Sequence, residues 1–311
     1  MSTLQMRGLL KRRPSAAWQQ LKRDWHIFSQ NRLAIVGVAL IVLFGLLALA
    51  YPILRATLLE HDMYNPVTGF DFRLLHPTKP GLEHPLGTDS LGHDVLSMLL
   101  ASTVPAFMVG IAAAITTAIV STVVGLFSAY YAGTVDAILM QIADAFLLLP
   151  APLFMVIMGM RFPDLNALML GIIYGAIAGL GGAAIVARAQ ALQIVTRSFI
   201  DSARVAGGSN LHIIARHILP HLLPLAALQM MLSVTGAVVA DGFIAFFGFK
   251  RNYLNWGTMI YSSFIYSDTM GVATEWHVLI PAALSLSLFA AAFFLVSRGL
   301  HEVTDPRLRK V

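Results

Sequence analysis

His84, Asp89, His93 and Asp94 fall within the single stretch HPLGTDSLGHDVLS, and all four are side chains able to hold a metal ion. Their spacing matches no established ligand pattern. Gly87 permits a sharp bend, Thr88 or Asp89 can cap a helix, and Asp94 belongs in the first turn of the next helix, where the dipole favours a carboxylate. The stretch, with Gly87, Asp89, Gly92 and Asp94 as its key residues, therefore reads as an external structural turn rather than a metal site. His217 and His221 stand one helical turn apart, but no inward third ligand accompanies them, so they read as residues of a cytoplasmic interface. Nucleotide hydrolysis needs a glycine-rich loop ending in Gly-Lys to cradle phosphates, and none of the five lysines follows a glycine. No G-x-S-x-G or H-E-x-x-H occurs either. Without cysteine, disulfides and thiolate sites are excluded. The expectation is a protein that is not an enzyme and holds no cofactor of its own.

The elements around these residues are set by composition. With 57% hydrophobic residues, 12% charged residues and a mean hydropathy of +0.74, the chain is expected to be an all-α polytopic membrane protein. Leu33 to Leu54 is an apolar run of 22 residues, about 33 Å of helix against a hydrocarbon core of about 30 Å. Ala48-Leu49-Ala50 imitates a leader-peptidase site, but the run exceeds the length of a signal peptide, so a retained first helix is expected. Further spans are expected at 107–129, 137–160, 165–187, 222–247 and 278–296, giving six in all with both termini inside. The segments are then a cytoplasmic stretch 1–32, a first span 33–54, an external loop 55–100, a five-helix core 101–297 with a cytoplasmic loop 188–221, and a tail 298–311. A second external loop is expected at 248–277, with Trp256 and Trp276 at the interface.

Basic residues give an independent reading of orientation. The segments assigned inside hold 15 of the 21 Lys and Arg, and those assigned outside hold 6, as the positive-inside rule requires. This accounts for the formal charge of +5 and makes membrane lipid, not nucleic acid, the expected partner of the basic surface. In the first segment, Trp18, Leu21, Trp25 and Phe28 recur every three to four residues, with Lys22 and Arg23 off that stripe and Ser15 placed to cap. That pattern predicts an amphipathic helix lying in the inner interface.

Two carboxylates fall within apolar spans, where an unpaired charge costs several kcal/mol. Asp144 lies about two turns into the third span, and Asp241 lies toward the outer end of the fifth. Each either lines a translocation path or gate, or pairs within the structure.

A polar, basic island between two apolar spans reads DSARVAGGSNLHIIARHILP, from Asp201 to Pro220. Arg197, Asp201 and Arg204 share one helical face, while Ile200, Ala203 and Gly207 form a second. Gly207 and Gly208 are expected to supply positive φ and end the helix, and Ser209 or Asn210 to cap a second helix through Leu211, Ile214 and Ile218 toward Pro220. Helix, tight turn, helix results, carried on the basic side of the membrane.

This pattern resembles the EAA loop of ABC importer permeases, with Asp201 as its acid, Ser202 and Ala203 as its small pair, Gly207 as its glycine and His217-Ile218-Leu219-Pro220 as its ending. Asp201, Ser202 and His217 depart from the usual Glu, Ala and aliphatic residue. The resemblance extends along the chain to the dipeptide, oligopeptide and nickel branch, in its second-permease type. NRLAIVGVALIVLF, HPLGTDSLGHDVLS, AYYAGTVDAILMQIAD, RHILPH, DGFIAFFGF with WGTMI, and the terminal DPRLRK stand in that family's order. His93, Asp241 and Lys250-Arg251-Asn252 depart from it.

The resemblance implies a type I importer permease (MetI-like) fold in which Asp201, Ser202, Ala203, Arg204, Gly207, Gly208, Ser209, Leu211 and Pro220 form a loop coupled to a cytoplasmic ATPase. It further implies a homologous second permease, two ATPases that bind the ATP and Mg, an external or periplasmic solute-binding protein, and residence in a bacterial or archaeal inner membrane. The competing reading is a stand-alone secondary transporter, which would need inverted repeats or broken helices with buried ion ligands. An intramembrane hydrolase lacks a nucleophile and base.

Overall fold

The computed structural model describes residues 16–57, 63–162, 164–248, 253–270 and 275–304, and among these it is helical with no strand. In chain order the helices are α1 (Ala16–Gln30), α2 (Arg32–Thr57), α3 (Val95–Ala101), α4 (Thr103–Tyr131), α5 (Gly133–Leu148), α6 (Ala151–Arg161), α7 (Ala167–Leu180) and α8 (Gly182–Val195). They continue as α9 (Ser198–Val205), α10 (Asn210–Ile213), a π-turn (Ile214–Ile218), α11 (Leu219–Phe246), α12 (Trp256–Met270) and α13 (Trp276–Thr304). Four stretches are long and apolar enough to cross a membrane alone: Arg32–Thr57, Val95–Tyr131, Asn210–Phe246 and Trp276–Val303. Two bent pairs, α5 with α6 and α7 with α8, raise the number to six if each pair is one span.

The stretches expected to span at 137–160 and 165–187 are each divided by one of these bends. Between α5 and α6 the axis turns by 80°. Leu149 is extended there (φ −75°, ψ 119°) because Pro150 excludes the helical conformation from the residue before it. Between α7 and α8 the turn is 47°, at Gly181. A Cβ on Gly181 would lie 3.2 Å from the Leu147 nitrogen and 3.3 Å from the Phe146 carbonyl carbon, so the two bends are packed on one another. A side chain at this corner would press on the backbone at the end of α5.

α4 is the central helix, flanked by α7, α8 and α11. Gly171, Gly175 and Gly179 repeat every four residues along α7 and face it. A Cβ on Gly175 would sit 2.6 Å from the Ala113 carbonyl oxygen, and one on Gly179 would sit 2.8 Å from Val120 Cβ. Thr117 donates to the Gly175 carbonyl at 3.2 Å. In lipid, where apolar burial gives helices no preference for each other, such close backbone approach provides the attraction.

At the opposite edge α13 packs on α2 and α11. Phe44, Phe289 and Trp256 interlock there, and the Trp256 indole donates to the Leu99 carbonyl at 3.2 Å. Trp256 is thus a core residue at 2% exposure and not an interfacial ring, because the segment expected as a plain loop contains α12, which folds back onto the bundle. Trp276 is exposed, as an interfacial residue requires.

Other boundaries also shift. The first span runs from Arg32 to Thr57, and α3 begins at Val95 inside the expected external loop. The helix that carries the fifth span begins before Leu222, because α10, the π-turn and α11 run continuously from Asn210 to Phe246. Pro220 lacks an N–H and cannot seat its ring over a regular turn, and the helix widens just before it, with Leu219 N–H donating to the Ile214 carbonyl.

α1 lies against α13. Phe28 is buried with Ala34 and Val296, and Trp25 stacks on Phe28 at 5.8 Å while remaining exposed. The expected stripe therefore divides, with Phe28 serving the core and Trp25 facing outward. The side chains of Trp18 and Leu21, and the Ser15 cap, lie outside the described residues.

Candidate coupling loop and outer turn

The 188–221 loop is built on an apolar floor. Ile200, Ile213 and Ile218 are fully buried, and with Ile214 and Leu222 they pack on Leu126, Ala129, Ala191 and Ile194. α9 ends in a Schellman arrangement: Gly207 N–H donates to the Arg204 carbonyl and Gly208 N–H to the Ala203 carbonyl, each at 3.0 Å. Gly207 has φ +80°. Gly208 does not share the positive φ expected of it, since one left-handed residue completes this turn. Ser209 caps α10 by accepting from His212 N–H at 3.3 Å.

Asn210, the other cap candidate, instead accepts from the Tyr130 hydroxyl at 2.9 Å. The Arg204 guanidinium lies 5.5 Å over the Tyr130 ring while its Nη1 meets Asp201 at 3.3 Å. The base of the loop is held by a second contact, in which Arg188 Nε and Nη2 each reach Asp136 at 2.5 Å in a bidentate pair and Ser128 donates to the same carboxylate. Tyr130, Asp136 and Arg188 were not legible as site residues, because their partners lie 52 to 80 residues away in the chain.

With the floor fixed, the outer face of the loop is bare. Asp201, Ser202, Arg204 and Pro220 are exposed, and so are Val205 (90%) and Leu211 (70%). Large apolar side chains at the tip of a polar hairpin have nothing of this chain to cover them among the described residues.

At the other end of the bundle the HPLGTDSLGHDVLS turn is tightly closed. Gly87 and Gly92 have φ +79° and +85°. Asp89 accepts from the backbone of Leu91 and His93 and from the His93 ring at 3.0 Å. Burial opposes a charge on His93, but the Asp89 carboxylate outweighs it and raises the histidine above its ordinary value. Asp94 is the N-cap of α3 itself, not a first-turn residue: it accepts from Ser97 N–H at 2.7 Å and from His84 Nδ1 at 2.8 Å. On its other side His84 Nε2 faces Asp71 at 3.6 Å. Hydrogen bonds from Arg73 hold Asp71 down to about 2. The start of α13 is bolted to this turn through His277, which lies 2.8 Å from the Thr88 carbonyl, and through Glu275, which accepts from Ser90. Among the described residues no group of three His, Asp or Glu could hold a metal, and the four candidate ligands serve as caps and clamps.

The two carboxylates of the spans differ. Asp241 is 3% exposed and accepts from the Tyr253 hydroxyl at 2.6 Å and from Asn255 Nδ2 at 2.7 Å, which ties the segment leading into α12 to α11. Asp144 lies on the open side of α5, one turn from the equally exposed Gln141.

Residues 121–310 match the family described as the binding-protein-dependent transport system inner membrane component. The chain belongs to this family. Residues 17–75 match the N-terminal TM domain of oligopeptide transport permease C. A putative peptide transport system permease protein of Brucella suis is 30% identical over 74% of this chain and 76% of its own length. The dipeptide transport system permease protein DppC of Bacillus subtilis is 27% identical over 96% of this chain and 89% of its own. The oligopeptide transport system permease protein OppC of Haemophilus influenzae is 28% identical over 94% and 89%. This chain is thus a multi-pass permease subunit of an ABC importer, and ATP hydrolysis falls to other subunits of the system.

Proposed function

We propose that the chain forms half of a translocation path for peptides or a similar small solute, delivered by an external or periplasmic binding protein. A homologous permease supplies the other half, and two cytoplasmic ATPases drive the cycle, one of them gripping the 188–221 loop. In this reading the bent pairs are single spans, so six cross the inner membrane of a bacterium or archaeon with both termini inside, as the distribution of Arg and Lys supports. Asp144 and Gln141 face the path or the partner permease, since lipid would leave them unsolvated at a cost of several kcal/mol. Asp241 closes the outer end through Tyr253 and Asn255.

The observation that carries this reading is the coupling hairpin: a buried isoleucine floor beneath Val205 and Leu211, which project uncovered. A docking hairpin needs this combination of a rigid seat and an apolar tip. A secondary transporter would also tolerate broken helices, but the break at Leu149 and Pro150 is explained by proline, and the nearest carboxylate, Asp144, is exposed instead of buried as an ion ligand.

The test is co-purification of the ATPases with a Val205→Asp, Leu211→Asp double variant of the full-length chain, expressed with its partner subunits. Retention of the second permease with loss of the ATPases is expected. Unchanged ATPase retention, or solute transport by this chain without any ATPase, would overturn the assignment.

A further inference from the structure

A pocket of about 520 Å³ opens where the end of α1, the corner into α2 and the last turns of α13 meet. Gln30, Asn31, Arg32, Arg298 and Glu302 line it, with Ile27 and Leu33 at its apolar edge. The walls are held by close packing. A Cβ on Gly299 would come within 2.7 Å of Phe28 Cε2, so α1 is seated directly on the backbone of α13 beside the pocket. Both arginines are exposed, and neither forms an ion pair with a described residue.

Depth and charge identify the occupant. The apolar run of α2 begins immediately after Arg32, and the apolar stretch of α13 ends just before Arg298, so both guanidiniums stand at the membrane boundary, where lipid phosphates lie. Two guanidiniums and one carboxylate leave a net charge of +1, the complement of one phosphodiester. The Asn31 Oδ1 is taken by Ala34 N–H, so this lining side chain has its amide nitrogen left to donate, while Glu302 offers an acceptor suited to a hydroxyl.

We propose that this pocket binds the headgroup of an anionic phospholipid of the phosphatidylglycerol class, with Arg32 and Arg298 on the phosphate, Glu302 accepting from the glycerol hydroxyls, and acyl chains leaving past Ile27 and Leu33. Its assignment to the inner leaflet rests on the orientation proposed above, while binding itself does not.

Native mass spectrometry of the purified full-length protein in detergent, with added phosphatidylglycerol, phosphatidylethanolamine or phosphatidylcholine, tests the site independently of solute and ATPases. One phosphatidylglycerol should persist at energies that strip the other two lipids. The Arg32→Gln, Arg298→Gln variant should lower its retention about tenfold or more, whereas Arg23→Gln, on the exposed part of α1, should leave it unchanged. The charge-keeping Arg32→Lys, Arg298→Lys variant should retain most of it, which guards against a merely unfolded double variant. Equal retention in the glutamine variant, equal loss with Arg23→Gln, no preference among lipids, or displacement by millimolar glycerol phosphate would each overturn the proposal.

Discussion

The Tyr130 hydroxyl donates to Asn210 Oδ1 at 2.9 Å, joining the end of α4 to the first residue of α10. Because Arg204 also lies over the Tyr130 ring, one side chain of the central helix holds both limbs of the α9–α10 hairpin. Tyr130→Phe removes the hydrogen bond alone, about 1 kcal/mol for a partly exposed pair, and should lower solute-stimulated ATP hydrolysis a few-fold. Tyr130→Ala loses the cation–π contact as well and should lower it further. Equal activity of both variants in reconstituted vesicles would show that the hairpin does not depend on this strut.

The glycine stripe of α7 makes a demand on folding instead of coupling. Gly175→Leu would drive a side chain into the Ala113 carbonyl and Thr116, and since α4 cannot yield without losing α8 and α11, a cost of several kcal/mol is expected. Gly182→Leu, at a position where a Cβ would lie no closer than 3.3 Å to Leu147 Cδ1, is the control. The yield of membrane-inserted, monodisperse protein should collapse for the first variant and be largely kept for the second.

The outer turn should have a pH window. Asp71 titrates at about 2, below its ordinary 3.8, so its contribution to stability is complete above about pH 4 and is lost as pH falls through about 2. His93 is raised, so its contribution is complete below the ordinary histidine value of about 6.5 and is lost as pH rises through the folded value. Amide exchange at Leu91 and His93, corrected for intrinsic rates, should be slowest between these limits. His93→Gln should flatten the alkaline limb and leave the acid limb in place.

Asp144 separates path from packing. If Asp144 faces water in the path, Asp144→Asn should leave assembly with the partner permease intact and reduce solute uptake in proteoliposomes. A variant that assembles and transports at the wild-type rate would remove Asp144 from the path.

How far the chain could be read depended on whether each feature was local. The α9–turn–α10 hairpin and its left-handed Gly207 depend on neighbours within a few residues and could be read from sequence, whereas the choice of Ser209 over Asn210 as cap and the ordinary φ of Gly208 could not. The bends at Leu149 and Gly181 were hidden because hydropathy is continuous across them; Pro150 was the visible signal for the first, while the second depends on where α5 passes. Trp256 could not be placed by its type, since an indole suits an interface and a core equally, and only the return of α12 onto Phe44 and Phe289 decides between them. The Asp136–Arg188 clamp has no periodicity to betray it.

Gly207 gives the most direct test of coupling. At φ +80° it occupies the left-handed region, yet nothing lies within 4 Å of the place a Cβ would take. A substitution there meets no neighbour, so its effect is purely that of the backbone, about 1–2 kcal/mol for a β-branched residue. Gly207→Val should therefore insert and pair with the second permease while the turn opens and Ser209 loses its register, uncoupling ATP hydrolysis from solute. Gly207→Asn, which tolerates the same conformation, should restore most of the activity. Asp201→Ala, which removes one exposed charge paired with Arg204, should act more mildly than valine. Solute-stimulated ATP turnover of the reconstituted complex ranks the three, and wild-type coupling in Gly207→Val would separate this loop from the ATPase.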